Sequence, residues 1–358
     1  MYITNIKLKN FRNYEEQEID LSNGINIFYG YNAQGKTNII ESIFMCAIGK
    51  SFRARKDNEI IMFNKDFSNF SIDYKKSDRD GNIKIDLSQK KRIYLNGVKI
   101  KKLSQLLGNI NVVLFTPDDI NILKNGPEER RKFLDIMIGQ LRPNYVHILS
   151  LYNETLKQRN NYLKQIKDEG KSEDLLDIWD EKLVEYGQKI FTYREEYVEK
   201  IKLKINDIHK KITDESEIIK IEYISNCKNR EEYIKLLKER RKLDIIKGYT
   251  TKGIHRDDFN VYINDKLVGV YGSQGQNRTT VLSLKISELQ IINDEIGEKP
   301  VLLLDDFMSE LDEKRRSKLL ENMENTQVII TCTDRIKIEN DISTKIYNVK
   351  NGYVFISE

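Results

Sequence analysis

The chain has 358 residues, 39% of them hydrophobic, enough for two or three folded domains and too apolar for a disordered tail. Its 60 basic and 56 acidic residues leave a net charge of +4, so whole-chain electrostatics does not argue for a polyanion, and a nucleic-acid site must be a local patch. No apolar run approaches a membrane span, Met1-Tyr2-Ile3 opens no secretory leader, and the scattered Cys46, Cys227, Cys332, His147, His209 and His255 support neither a disulfide frame nor a zinc cluster. A cytoplasmic protein without a membrane partner, its cysteines serving as packing residues, is therefore expected.

In chain order, strands are expected over residues 2–9, 16–21 and 25–29. The last runs into Gly30-Tyr31-Asn32-Ala33-Gln34-Gly35-Lys36-Thr37, and Asn38 leads into a second apolar run over residues 39–47. This is the strand, loop and helix context of a phosphate-binding P-loop. Glycines at both ends let backbone N–H groups turn inward around a phosphate chain, and the N-terminus of the next helix adds partial positive charge. Lys36 is expected to reach the β- and γ-phosphates of ATP, and the Thr37 hydroxyl to take one position on a Mg2+ bridging them.

Further strands are expected over residues 70–74, 83–87 and 92–95, the last reaching an Asn96-Gly97 turn. Three basic runs fall in this region: Lys50, Arg53, Arg55 and Lys56; then Lys90, Lys91 and Arg92; then Lys99, Lys101 and Lys102. Each alone reads more readily as a solvated face than as a binding site.

No proline interrupts residues 144–299, and most of that stretch is expected to be helical. Tyr145, Ile148, Tyr152, Leu156, Leu163 and Ile166 form one apolar stripe. After a polar break at residues 168–173, a second runs from Trp179 through Leu183, Ile190, Tyr197 and Ile201 to Ile208. The two predict a helical hairpin, either packed on a sheet or protruding as an arm. His255, in His255-Arg256-Asp257-Asp258, reads as a hydrogen-bonded structural or interface element in preference to a catalytic one.

Ser273-Gln274-Gly275-Gln276 directly precedes an apolar helical run, so it is either a capped helix start or a second anion site. Residues 301–304 and 328–330 read as buried parallel strands, with a covering helix expected over residues 314–325 and a closing hairpin around Asn351-Gly352. The first of these strands ends in Asp305-Asp306, carboxylates suited to holding the Mg2+ (Asp305) and to orienting or deprotonating the attacking water (Asp306).

Ser273, Gly275 and Gln276 resemble the signature motif of ABC-type ATPases, and Ser309-Glu310-Leu311-Asp312 resembles their D-loop. Leu8-Lys9-Asn10-Phe11-Arg12-Asn13-Tyr14 is similar to the opening of the branch that includes the SMC proteins. Thr116-Pro117-Asp118-Asp119, the stretch from Gly126 to Asp135, and Gly253-Ile254-His255-Arg256-Asp257-Asp258 narrow the resemblance to the RecF family. It covers nearly the whole chain, with a short helical arm in place of the long SMC coiled coil.

The resemblance implies an α/β fold: an ABC-type ATPase head, mixed sheet plus P-loop parallel sheet, with an inserted helical subdomain. Residues 1–140 would be the N-terminal lobe, 141–245 the arm and 246–358 the C-terminal lobe. It also implies an ATP-dependent homodimer, each ATP held between the P-loop of one copy and Ser273 of the other. Such a dimer would bind DNA at gaps and single-strand to duplex junctions, and act with RecO and RecR to load RecA. Arg12 would contact nucleotide, and Arg53 or Arg55 would lie near phosphates or DNA. Asp306 stands where the wider class has a glutamate, and Thr333 where it has a switch histidine. Both departures predict slow hydrolysis acting as a timer, and the resemblance implies a weak, DNA-stimulated ATPase serving as a switch. The competing readings are a transporter-type ATPase subunit and a P-loop small-molecule kinase; the kinase would not need the Ser273 motif.

Overall fold

A computed structural model describes residues 1–310, 325–335 and 343–357. In chain order they form β1 (Tyr2–Phe11), β2 (Tyr14–Asp20), β3 (Ile25–Tyr29), α1 (Lys36–Ile48), β4 (Ser68–Lys75), β5 (Asp80–Leu87), β6 (Arg92–Leu95), β7 (Val98–Lys99) and β8 (Val112–Phe115). Then come α2 (Asn121–Lys124), α3 (Pro127–Leu141), α4 (Pro143–Glu169), α5 (Leu176–Thr213), β9 (Ile219–Ile224) and α6 (Arg230–Lys247). They are followed by β10 (Asp258–Ile263), β11 (Lys266–Leu267), α7 (Val268–Tyr271), α8 (Gln274–Ile296), β12 (Val301–Asp305), β13 (Val328–Cys332), β14 (Thr344–Lys350) and β15 (Tyr353–Ile356).

Contacts divide the chain into two compact units, Met1–Ile120 with Leu282–Glu358, and Asn121–Val281. The sequence-based boundaries, at 140/141 and 245/246, fall elsewhere: the contact division joins residues 121–140 and 246–281 to the helical segment.

The first unit holds two sheets. One is antiparallel, in the order β2-β1-β4-β5-β6-β7. The other has the order β15-β14-β3-β13-β12-β8, with every pair parallel except the antiparallel edge strand β15. Strands β3, β12 and β13 read as continuous apolar runs because both faces of a parallel sheet are covered, and their core residues are buried throughout. The order interleaves the two ends of the chain, so neither end builds the sheet alone. It also brings the C-terminal ends of β3, β12 and β13 to one edge, where ligands bind in open parallel sheets.

In the second unit α4 and α5 form the expected helical hairpin. Gly170, at φ 69°, caps α4, and Leu163, Ile166 and Leu176 are packed with Tyr162 and Trp179. The stretch is less uniformly helical than its lack of proline suggests. Residues 219–224 and 258–263 alternate apolar and polar, the strand period, and pair as β9 and β10 in a three-stranded sheet with β11. The covering helix expected over residues 314–325 and the D-loop residues Leu311 and Asp312 lie outside the described residues, Asn325 excepted.

Candidate functional site

The P-loop leaves β3 at Gly30 (φ 153°) and enters α1 at Gly35 (φ 114°). A Cβ at Gly30 would lie 2.4 Å from the Val349 carbonyl oxygen, and one at Gly35 would lie 2.6 Å from the Asn13 side chain. Glycine is required at both for backbone angle, and at Gly30 for space as well. Tyr31, Asn32 and Ala33 are exposed along the loop, and Ala33 is left-handed at φ 64°. Lys36 is buried, its Nζ donating to the carbonyls of Gly30 at 2.7 Å and Tyr31 at 3.0 Å. The ammonium thus sits inside the curve of the loop.

The register that places β12 beside β13 pairs Asp305 with Thr331. Thr331 Oγ1 donates to Asp305 Oδ1 at 2.8 Å and accepts from the Asp306 backbone N–H at 3.0 Å. Thr37 Oγ1 donates to the same Asp305 oxygen at 2.8 Å. Asp305 is buried, which raises its pKa from the ordinary carboxylate value; hydrogen bonds from Thr331 and Thr37 oppose the rise, and Asp306 adds to it. Two hard oxygen donors side by side, one of them a carboxylate, fit a Mg2+ that keeps most of its waters. Asp306 follows at φ 49°, in the left-handed region, so the chain turns sharply where the second carboxylate begins.

The loop is held from outside by residues that sequence reasoning assigned no such role. Asn13 Nδ2 donates to the Gln34 carbonyl at 2.8 Å, and Asn13 Oδ1 accepts from Asn38 Nδ2 at 2.8 Å. Tyr14 OH donates to the Gly35 carbonyl at 3.1 Å. At the β14–β15 turn the Asn351 N–H donates to Gln34 Oε1 at 2.6 Å. Asn13 and Tyr14 close the Leu8-to-Tyr14 motif, and Asn351-Gly352 was visible as a turn. The contact with Gln34 is what no sequence signal announces.

Arg12 pairs in a two-pronged fork with buried Glu41 of α1, at 2.9 and 2.8 Å, and donates to the Glu59 carbonyl at 2.6 Å. This accounts for a glutamate buried among the apolar residues of α1. Arg53 donates to Asn38 Oδ1 at 3.2 Å, beside the P-loop. The second and third basic runs approach the far end of α1, next to Lys50 of the first, whereas Arg53 reaches back to the P-loop end. Lys91 Nζ donates to the Gly49 carbonyl at 3.0 Å and pairs with Asp57 at 2.9 Å; the Ile100 N–H bonds the Ile93 carbonyl; and a Cβ at Gly49 would meet Leu103 at 2.4 Å. Thr333 is exposed, one residue past Cys332, whose carbonyl accepts from the Gly30 N–H at 3.3 Å.

Ser273, Gly275 and Gln276 belong to the second unit. Ser273 Oγ accepts from the Gln276 N–H at 3.1 Å while Gln276 Oε1 accepts from the Ser273 N–H at 2.9 Å, a reciprocal capping box at the start of α8. The serine hydroxyl proton stays available to an acceptor. His255 is a packed structural element. Its Nε2 meets the Thr250 carbonyl at 3.1 Å and its Nδ1 meets Tyr152 OH at 2.9 Å, so the neutral tautomer protonated at Nε2 satisfies both. Burial pushes its pKa down to about 4.

The arrangement of Lys36, Thr37 and Asp305 suits the phosphates of a nucleotide and a Mg2+, and comparison with known proteins narrows it. The "RecF/RecN/SMC N terminal domain" family matches residues 2–354. The chain is 45% identical over 353 residues to the DNA replication and repair protein RecF of Acetivibrio thermocellus, covering 95% of each chain. The chain belongs to the RecF family. It is 44% identical to the RecF of Clostridium botulinum, covering 99% of each. Among solved structures, the recombination mediator protein RecF with ATP matches with TM-score 0.94 at 39% identity, covering 100% of this chain and 98% of that one. An Smc head bound to the C-winged helix domain of ScpA matches with TM-score 0.59 at 17% identity, covering 100% and 97%. RecF and SMC heads thus share this fold, an ABC-type ATPase head carrying a helical insertion. No helix among the described residues is long and apolar enough to cross a membrane.

Proposed function

We infer that this RecF-family chain is an ATP-gated, DNA-binding homodimer of the cytoplasm that serves DNA replication and recombinational repair. The observation that carries the reading is the bond from Thr37, next to the loop-held Lys36 past the end of β3, to Asp305 at the end of β12, one strand away. Lys36 and the loop N–H groups from Gly30 to Asn38 bind the phosphates of ATP, and Arg12 braces the first turn of the site through Glu41. A Mg2+ held by Thr37 and Asp305 would neutralise charge developing on the phosphates. Asp306 orients the water that attacks the γ-phosphorus and takes its proton, with ADP and phosphate as products. Ser273, Gly275 and Gln276 of a second copy close over the γ-phosphate with a hydroxyl donor and the α8 N-terminus.

ATP binding closes the dimer on DNA, and slow hydrolysis, through the short Asp306 and without a switch histidine at Thr333, releases it. The basic corner at the end of α1 contacts the DNA backbone, with gaps and single-strand to duplex junctions as the targets. RecO and RecR are the partners, and RecA loading is the outcome. The similar solved structures, of RecF in the RecFOR pathway, support this assignment.

The deciding experiment measures binding to a gapped duplex without nucleotide, with ADP and with ATP at fixed salt, together with sedimentation and a Lys36→Ala control. ATP alone should produce both the dimer and tight DNA binding, with affinity falling steeply as salt rises. DNA binding indifferent to nucleotide overturns the reading.

A further inference from the structure

We propose that Glu217 is a positioning residue for the signature serine, acting through the side-chain amide of Gln276. The inference rests on the reading that Ser273 binds nucleotide in trans. Glu217 lies in the turn between α5 and β9, 56 positions before Ser273 in the sequence, and carries no signature resemblance of its own. Gln276 Nε2 donates to Glu217 Oε1 at 2.8 Å. The other carboxylate oxygen, Oε2, lies 3.0 Å from Nε2 of His209, which is fully buried in the last turns of α5.

The chemistry of these groups admits one orientation. A carboxylate only accepts and a backbone N–H only donates, so the Gln276 amide must turn its nitrogen to Glu217 and its oxygen to the Ser273 N–H, 2.9 Å away. Glu217 thereby holds the half of the capping box that ties down the backbone of Ser273. Without an acceptor there, the amide loses its reason to stay in that rotamer, and Ser273 Oγ keeps only its 3.1 Å bond from the Gln276 N–H. Asn277, also buried, secures the other side of the turn through the Gly272 and Ser273 carbonyls, at 2.9 and 2.8 Å. The serine is thus fixed from both directions, and only the Glu217 arm starts outside the motif.

The link is specific enough to swap. Glu217→Ala removes the acceptor. Glu217→Gln keeps one, since its amide oxygen can receive the Gln276 N–H. Gln276→Glu preserves the capping box, where glutamate serves as well as glutamine, but sets two carboxylates against each other. Combined with Glu217→Gln, it restores a donor and acceptor pair with the roles reversed.

The test uses the full chain with ATP and Mg2+, reading self-association by sedimentation, affinity for a fluorescent ATP analogue and the melting temperature. Glu217→Ala should weaken ATP-driven self-association about tenfold while leaving affinity for the analogue unchanged, and Gln276→Glu should weaken self-association by a similar factor. Glu217→Gln alone and the Glu217→Gln, Gln276→Glu pair should return close to the starting value. Adding Glu217→Ala to Ser273→Ala should cost nothing further. Wild-type self-association in Glu217→Ala beside loss in Ser273→Ala overturns the positioning role and leaves the trans reading standing. Unchanged self-association in Ser273→Ala overturns the trans reading itself. If Glu217→Ala melts below the assay temperature, failure of the reversed pair to rescue Gln276→Glu overturns the role.

Discussion

The Thr37 hydroxyl donates to Asp305 Oδ1 at 2.8 Å, joining the first turn of the P-loop helix to a strand end 268 positions later in the sequence. Thr331 supports the same oxygen at 2.8 Å from the strand between β3 and β12. Two hydroxyls therefore aim one carboxylate, and a metal placed there would find it already oriented.

Thr331→Val tests the support without changing side-chain volume. It removes the donor to Asp305 and the acceptor for the Asp306 N–H, both at a buried position. Chemical denaturation should show a loss of about 1–3 kcal/mol, and ATP turnover should fall while protein assayed below its transition remains folded.

Asn13→Ala should loosen the P-loop from outside by removing the bonds to Gln34 and Asn38. Nucleotide affinity, read by equilibrium titration, is expected to drop about fivefold, the worth of roughly 1 kcal/mol. Gly352→Ala attacks the same clamp sterically. Gly352 has φ 77°, and a Cβ there would lie 2.3 Å from the Asn13 carbonyl oxygen, so a stability loss of about 1–3 kcal/mol is expected in the same denaturation assay.

Asp306→Asn separates chemistry from binding. On its proposed role in orienting the attacking water, this substitution should slow hydrolysis by at least about 100-fold with ATP affinity nearly unchanged. Retained turnover would remove Asp306 from the catalytic role.

Acid sensitivity should report His255. Its folded pKa lies near 4, first through burial and further through Arg256, Arg131 and Arg159, against an ordinary value of 6.5. Between those values the unfolded chain takes up a proton that the folded one refuses, so stability falls as pH drops from about 6.5 to 4, by up to about 3 kcal/mol. Neighbouring Asp257, pushed up to about 6 by burial, works in the opposite sense over part of that range. The comparison must therefore be wild type against His255→Gln: the stability gap between them should shrink as pH is lowered from 7 to 4.5.

The P-loop and the carboxylate pair were legible because each is contiguous in sequence and flanked by apolar runs whose length identifies them as strand or helix. The strands of the antiparallel sheet were legible through their alternation. The helical expectation for residues 144–299 passed over β9 and β10, whose period-two segments of six residues are short beside the long helical stripes around them. Asn13, Thr331 and Glu217 were missed as supports, since each acts on a partner that strand register or chain reversal brings near.

From its residues alone this chain determined its family, its P-loop, its Ser273 turn and the apolar faces that its helices bury, because all of these are local patterns of side-chain size, charge and backbone freedom. Tertiary structure decided the rest. The parallel register of β12 and β13 sets Thr331 beside Asp305, the β14–β15 turn closes on Gln34, and the end of α5 brings His209 and Glu217 to the signature turn. Hydrogen bonds act over about 3 Å whatever the separation along the chain. Such pairings therefore exist only once the backbone has folded to make them.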